Sequence, residues 1–257
     1  MERVSQREHL ADLFHGRNYS YIHVIYTEPI LRSHPTDLMP DLNIIESLRE
    51  LVLIAPGFLL AITVHEFTHG YVAYKLGDPT AKMAGRLTFN PISHLDLVGT
   101  LALVLTRMIG WAKPVPVDPR YFKKPLRDML WVSLGGPAAN IVTAIILVFV
   151  LKIISVIALS GYRSQTTDFF LGPLFLIIRF GIRINIVLAV FNLIPVPPLD
   201  GFSVLKGLLP RDFAYKLEAI EPYGFMLLLA LLFTGVVNFL IAPPIVAVES
   251  MLLKLLR

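Results

Sequence analysis

Long apolar runs alternate with polar, proline-containing segments along most of the chain. An α-helix rises about 1.5 Å per residue, so about 20 consecutive apolar residues are enough to cross the hydrocarbon core of a bilayer. The apolar runs therefore predict membrane-spanning helices over residues 51–76, 129–159, 173–194 and 223–241. We expect an α-helical polytopic membrane protein with a core of three transmembrane helices and one or two C-terminal helices.

Shorter elements are predicted between and after these spans. Residues 83–89 alternate between polar and apolar side chains and lie between turn signals at 77–79 and 90–91, which predicts a short strand or β-hairpin region. Residues 97–110 are apolar but too few to span, so they predict a re-entrant or interfacial segment. Two consecutive prolines at 243–244 predict a turn, followed by a further helix on or in the membrane.

Composition supports a membrane protein and excludes several kinds of chemistry. Hydrophobic residues make up 55% of the chain and charged residues only 16%, whereas soluble domains carry about 25% charged residues. The chain has no cysteine, so disulfides, thiolate metal sites and a cysteine nucleophile are excluded, and any metal must be bound by His, Asp or Glu. The net charge of +4 fits the positive-inside rule of membrane proteins, and we expect no nucleic-acid partner.

The same pattern divides the chain into three parts. Residues 1–46 form a polar N-terminal segment, whose histidines lack metal-ligand spacing and whose role the sequence does not indicate. Residues 47–210 hold the core spans and all of the candidate chemistry. Residues 211–257 are predicted to form a C-terminal membrane helix or helices.

Three basic side chains fall inside the second and third predicted spans. Arg179 and Arg183 are four residues apart and so share a helix face, and Lys152 lies in the preceding span. Long basic side chains commonly extend toward the membrane interface, and we expect this of all three, with no functional role.

An ionisable cluster, His65-Glu66-Phe67-Thr68-His69, lies inside the first predicted span. On a helix His65 and His69 lie one turn apart on the same face, so both imidazoles can bind one Zn²⁺. Glu66 is displaced by about 100° around the helix and can act as general base toward a zinc-bound water. Because ionisable groups are costly in a membrane, a functional site is favoured over a structural polar cluster.

The third ligand is less clearly indicated. A catalytic zinc usually has three protein ligands, and two histidines leave one position open. Asp200 is the best-placed carboxylate, because the third span must end at Pro195, Pro197 and Pro198, leaving non-helical backbone that has to line protein or a wet cavity. An ordinary Asp-Gly turn remains an alternative on spacing alone, and His94 in the loop is the next candidate ligand.

A small-residue segment, Gly135-Gly136-Pro137-Ala138-Ala139, precedes Asn140 near the start of the second span. Small residues allow helices to approach closely, which places Asn140 on a packed face. Its amide is suited to binding a substrate carbonyl or an oxyanion and, equally, to an interhelical hydrogen bond with the backbone.

The order of these blocks resembles the site-2 protease family of intramembrane zinc metalloproteases, in its short, prokaryotic-type form without a PDZ or CBS domain. The matching blocks are HEFTH at 65–69, GDPTAKMAGRLTFNPISHLD at 77–96, GWAKPVPV at 110–117, GGPAAN at 135–140 and NLIPVPPLDG at 192–201. Five blocks in the same order are a far more specific signal than HExxH alone.

The resemblance implies a site and a reaction. It implies one zinc ion per chain bound by His65, His69 and Asp200, with Glu66 as general base and Asn140 in a supporting catalytic role. The reaction would be hydrolysis of a peptide bond in or near a transmembrane segment of a membrane-protein substrate, as in regulated intramembrane proteolysis. The family binds an unwound substrate segment by β-pairing beside a short strand, which corresponds here to Gly85, Arg86, Leu87, Thr88, Phe89 and Asn90.

Charge sets the expected orientation. Between Lys75 and Asp128 there are nine Lys or Arg and four Asp or Glu residues, which predicts that this region faces the cytoplasm of a prokaryotic plasma membrane and that the active site opens there. Two other functions use the same residues: a non-catalytic membrane scaffold of this fold, and a metal transporter. A transporter needs a polar path across the whole bilayer, whereas the polar groups here cluster near one face. The sequence does not indicate an oligomeric state.

Overall fold

The computed structural model describes residues 44–106, 110–159 and 165–256, and from Ile45 onward these belong to one compact unit. The predicted polar segment 1–46 therefore lies almost entirely outside the described residues. Within the described ranges the chain forms nine α-helices: α1 (Ile44–Lys75), α2 (Thr80–Met83), α3 (Leu97–Thr106), α4 (Pro125–Leu159), α5 (Gln165–Asn192), α6 (Asp200–Leu208), α7 (Arg211–Glu218), α8 (Gly224–Phe233) and α9 (Val236–Leu253).

Four segments of the described chain are long and apolar enough to cross a membrane: Leu51–Lys75 in α1, Pro125–Val156 in α4, Phe169–Asn192 in α5 and Val236–Leu253 in α9. The first three correspond to the three spans predicted for the core. This confirms the prediction of an α-helical polytopic membrane protein. A helix satisfies its backbone hydrogen bonds internally, so its apolar side chains can face either lipid or neighbouring helices.

The boundaries predicted for the fourth span, 223–241, are wrong. Residues in this range form the short helix α8 and then turn at Gly235, whose φ of +76° is a left-handed conformation that glycine adopts without a steric penalty. The spanning helix is α9, and Pro243 and Pro244 lie inside it instead of forming a turn. Apolar composition alone does not reveal a break made by one glycine, and prolines are tolerated within membrane helices.

The centre of the unit is a contact between α4 and α5, with α9 packed against the outside of α5. Side chains spaced three, four or seven residues apart on each helix meet in one buried apolar cluster, formed by Ala144, Val148 and Leu151 of α4, Ile178, Ile182 and Ile186 of α5, and Ile245 and Leu252 of α9. This cluster holds α4 and α5 together, and these two helices carry residues that surround the candidate site.

The three basic side chains singled out in the second and third predicted spans all contact the C-terminal part of the chain. The Lys152 amine donates a hydrogen bond to the Leu255 carbonyl, 2.8 Å away, just beyond the end of α9. Arg179 and Arg183 of α5 lie within 4.0 Å of the Glu249 carboxylate of α9. Arg179 and Arg183 therefore share a carboxylate partner on the neighbouring helix, which was not predicted, and their extension to the membrane interface stays a prediction.

The predicted strand at 83–89 does not form in the described chain. Met83 ends helix α2, Gly85 turns with a φ of +66°, and the isolated β-bridge in this region joins Leu95 to Ala112 instead. An alternating pattern specifies a strand only where a second strand supplies hydrogen-bond partners. The next segment, α3, has ten residues and so a length of about 15 Å. This is too short to span a bilayer, as predicted for residues 97–110, of which 107–109 lie outside the described residues.

Candidate metal centre

Two buried histidines of α1 form the core of the site. His65 and His69 are 5% and 9% exposed, and their Nε2 atoms lie 2.9 Å apart. The i, i+4 spacing predicted from the sequence brings both rings to one helix face. Both rings point toward the start of α6.

Asp200 completes the group from a distant part of the chain. Non-helical backbone containing three prolines connects α5 to α6, and Asp200 is the first residue of α6. Its Oδ2 atom lies 3.2 Å from Nε2 of His65 and 3.2 Å from Nε2 of His69. The expectation that Asp200 joins the two histidines therefore matches the geometry of the described residues.

The triangle of ligand atoms fits a tetrahedral zinc ion. Ligands about 2.0–2.2 Å from zinc at tetrahedral angles lie about 3.3–3.6 Å apart. The separations of 2.9, 3.2 and 3.2 Å found here are slightly shorter, so a small outward shift of the ligand atoms accommodates the ion. Oδ2 of Asp200 is buried without a hydrogen-bond partner among the described residues, as a metal-binding oxygen would be.

Contacts on the far side of each imidazole orient the ligand nitrogens. Nδ1 of His65 lies 2.7 Å from Oδ1 of Asn140, and Nδ1 of His69 lies 2.7 Å from the Val132 carbonyl oxygen. Both partners are acceptors, so each Nδ1 carries the proton and donates it. Each Nε2 then presents a lone pair toward Asp200, and three such acceptors at this separation are stabilised by a shared cation.

Asn140 is fully buried and uses its whole amide within the protein. Its Nδ2 donates to the Ala61 carbonyl at 3.0 Å and to Oδ1 of Asn185 at 2.9 Å, while its Oδ1 accepts from His65. Asn140 thus joins α1, α4 and α5 at the level of the metal ligands. Of the functions predicted for it, the interhelical hydrogen bond is the one that the geometry displays.

Gly136 of α4 provides the space that the two imidazoles occupy. A Cβ atom at this position would overlap Nε2 of His69 and would lie 2.6 Å from Cε1 of His65. The side of the site facing α4 is therefore formed by a residue with no side chain, and the Gly-Gly pair predicted to permit close helix packing does so against the ligand rings.

Glu66, the predicted general base, contacts the loop that precedes α4. Its Oε2 atom accepts a hydrogen bond from the Val115 N–H, 2.8 Å away. Pro114 and Pro116 on either side have no N–H, so Val115 is the donor that this part of the loop can offer. This bond fixes one carboxylate oxygen of Glu66 against the loop.

Buried polar residues hold this loop in place from both ends. The fully buried Asp78 accepts hydrogen bonds from the Asp118 N–H, at 2.8 Å, and from Thr80. Arg86 is 9% exposed and donates to the Lys113 carbonyl at 2.7 Å. These bonds fix the residues on both sides of Val115, and therefore the position of its N–H relative to Glu66.

The segment predicted to bind substrate lies beside this loop. Phe89 is 64% exposed and stacks on Phe67 of α1, with ring centroids 4.0 Å apart. Fully buried His94 donates from Nε2 to the Thr88 carbonyl at 2.8 Å, so it anchors the segment and is not part of the His65–Asp200 group. Asn90 accepts a hydrogen bond from the Ile92 N–H and caps the short 3₁₀ helix that follows.

Three contributors to the site were not predicted. The Val132 carbonyl and the Val115 N–H are backbone groups and carry no signature in their side chains. Asn185 did carry a signal, since it is a polar residue in the middle of an apolar span, where a hydrogen-bond partner is required.

A comparison with protein families shows which family the chain belongs to. The family model described as peptidase family M50 matches residues 53–235, which is more than half of the chain and includes every residue of the metal centre. The chain belongs to peptidase family M50. This confirms the resemblance to site-2 proteases, and the M50 chain is accordingly a membrane zinc metalloprotease.

Curated relatives agree with this assignment. The M50 chain is 38% identical over 222 residues to "Putative zinc metalloprotease YwhC" of Bacillus subtilis, a match that covers 86% of this chain and 93% of the relative. It is 28% identical to "Putative zinc metalloprotease Rip2" of Mycolicibacterium smegmatis, covering 73% of this chain and 69% of the relative. It is 26% identical to "Putative zinc metalloprotease MJ0611" of Methanocaldococcus jannaschii, covering 73% and 83%. No solved structure matches the chain.

The role of Asn140 in orienting a ligand can be measured directly. Asn140→Ala removes the acceptor of the His65 Nδ1 proton and leaves the Ala61 carbonyl and Asn185 without their partner. We expect zinc affinity to fall about 10–100-fold, as is typical when a hydrogen-bond partner of a metal-binding histidine is lost. Competition with a fluorescent chelator measures the affinity. Asn192→Ala is the control and should bind zinc normally, because the amide of Asn192 is bonded, within the described chain, to the Leu188 carbonyl of its own helix.

Proposed function

We propose that this M50 protein is an intramembrane protease, which hydrolyses a peptide bond in or near a transmembrane segment of a membrane-protein substrate as a step of regulated intramembrane proteolysis. The proposal is carried by one observation: a pair of histidines suited to bind a metal lies well inside the apolar span Leu51–Lys75. The backbone of a soluble substrate lies outside the bilayer, whereas an unwound transmembrane segment already lies at the depth of the two histidines.

The residues of the site divide the chemistry between them. His65, His69 and Asp200 would hold the zinc, which when bound polarises a carbonyl and makes water more acidic. Glu66 is held through Oε2 by the Val115 N–H, and we assign to its Oε1 the proton of the attacking water. The same carboxyl group then gives that proton to the leaving amine, so Glu66 returns to its ionised form after each cleavage.

We assign Asn140 a positioning role in this reaction. Both of its amide hydrogens are donated to protein acceptors, so binding an oxyanion would require it to release Ala61 or Asn185. Holding the ring of His65 requires no such rearrangement. Asn140 would then provide the supporting role implied by the family resemblance by holding the ring of His65.

Residues 85–90 are proposed to bind the substrate backbone. Arg86 N–H is bonded to the Ala81 carbonyl and Thr88 carbonyl to His94, whereas the backbone groups of Leu87 and Phe89 have no partner among the described residues. An extended segment with alternate unpaired groups can accept another extended segment by β-pairing. The strand that sequence analysis predicted here would then form when substrate is bound.

The proposed setting is a prokaryotic plasma membrane, with the active site opening toward the cytoplasm. The excess of basic residues between Lys75 and Asp128 supports this orientation, since it marks the face of the membrane that carries the loop with Val115. We further propose that 47–210 is the catalytic core and that 211–257 adds the C-terminal helices around it.

Cleavage of matched membrane and soluble peptides tests the proposal. The purified protein is reconstituted in lipid vesicles with single-span peptides whose centres contain a helix-destabilising Gly-Pro pair, and the same central residues are offered as soluble peptides. We expect cleavage near the destabilised centre of the membrane peptides, loss of cleavage with a zinc chelator and recovery with added zinc. Equal rates on the soluble peptides would contradict an intramembrane substrate, and zinc binding without cleavage of any peptide would favour a scaffold.

A further inference from the structure

A charged cluster lies within the membrane spans and outside the metal centre. One nitrogen of the Arg183 guanidinium is 3.5 Å from Oε2 of Glu249, and one nitrogen of Arg179 is 3.7 Å from Oε1 of the same carboxylate. Two positively charged side chains of α5 thus share one negatively charged side chain of α9. Glu249 is well covered, with a side chain 14% exposed.

Arg183 is poorly satisfied in this cluster. Its guanidinium has five N–H donors, but its contact in the described chain is the single one to Glu249, at the outer limit of hydrogen-bond length. Its side chain is 43% exposed. Along the helix axis Arg183 is about 21 Å from Phe169 and about 14 Å from Asn192, the two ends of its span, so the exposed charge lies deep in the apolar region.

We propose that Arg183, on the face of α5 beside Glu249, forms a docking surface for a transmembrane helix of another protein that carries an Asp or Glu side chain at mid-bilayer depth. An exposed guanidinium in hydrocarbon is costly, and a carboxylate that forms two parallel hydrogen bonds with it removes that cost. The complementary charge therefore defines the partner. This inference does not depend on the proteolytic reaction, because it concerns the surface of α5 and α9.

The candidate spans of a second copy, as far as the chain is described, do not supply the required carboxylate. The candidate spans contain Glu66, Asp128 and Glu249 as their acidic residues. Glu66 accepts the Val115 N–H at the metal centre, Asp128 lies near the end of its span and accepts the Lys124 N–H, and Glu249 is already shared by two arginines. The phosphate of a lipid is at the membrane interface, which is far from Arg183 along α5.

Energy transfer in vesicles tests the proposal. Labelled protein is reconstituted in phosphatidylcholine vesicles with labelled apolar helical peptides of 23 residues (a length of about 35 Å) that carry one central Glu or, as the matched peptide, one central Gln. We expect the Glu peptide to associate about tenfold more tightly than the Gln peptide. Arg183→Gln should remove this preference, whereas Leu174→Gln, at another exposed position of α5, should leave it intact.

A second variant keeps the test decisive if Arg183→Gln fails to fold. Glu249→Gln removes the internal competitor for Arg183, so it should strengthen the preference for the Glu peptide. Unchanged zinc binding reports that each variant is folded. Equal association of the two peptides, or a preference that survives in folded Arg183→Gln, overturns the proposal. It is also overturned if phosphatidylglycerol abolishes the preference while binding to the native protein and not to Arg183→Gln, since the site would then belong to a lipid phosphate.

Discussion

Replacing Glu66 with Gln is expected to lower the rate of peptide cleavage about 10³-fold, within the range by which positioned acid–base groups accelerate reactions. Gln keeps the length of the side chain and can still accept the Val115 N–H, but its amide cannot take up a proton from water. Because Glu66 is not one of the three residues expected to bind the metal, zinc should remain bound at about one ion per chain. Cleavage of reconstituted peptides and metal analysis of the same sample measure both quantities.

The paired measurements separate the base from a structural residue. Glu218→Gln makes the same chemical change on α7, at a half-exposed side chain outside the metal centre, and should leave both quantities unchanged. A Glu66→Gln protein that cleaves at the native rate would remove Glu66 from the mechanism. Loss of zinc together with activity would instead mean that Glu66 supports the ligands.

Local spacing was sufficient to predict the three core spans and two of the three candidate metal ligands. Apolar runs of membrane length gave α1, α4 and α5, because bilayer thickness sets the length that an apolar helix must have. His65 and His69 could be paired because residues four apart on a helix share a face. Each of these conclusions depends on residues that are close together in the sequence.

Contacts between distant residues could be predicted only in part. Asp200 is far from His65 in sequence, and the family resemblance, with the prolines before it, was needed to favour it over His94. The strand at 83–89 failed for the same reason, since its pattern is local but its hydrogen-bond partner is not. A single glycine at 235 ended a helix within an apolar run that hydropathy treats as continuous. Such features are set by tertiary packing, which no short window of sequence contains.

Replacing Gly136 with Ala is expected to remove zinc from the site, with an affinity loss of at least about 100-fold, although Ala is a better helix former than Gly. The added Cβ atom would overlap Nε2 of His69 and crowd the ring of His65, and α4 cannot move away because its buried face packs on α5. Both ligand nitrogens must therefore shift away from Asp200. Metal content and chelator competition measure the loss, and cleavage activity should fall with it.

A matched glycine distinguishes this steric effect from a general effect of alanine in membrane helices. Gly172 of α5 has no atom within 4 Å of an added Cβ, so Gly172→Ala should bind zinc and cleave substrate as the native protein does. If Gly136→Ala retains native zinc affinity, the rings do not occupy the space beside α4. If only activity is lost while zinc stays bound, Gly136 contributes to substrate access and not to ligand geometry. The predicted outcome, loss of both, follows from the position of one methyl group between two ligands.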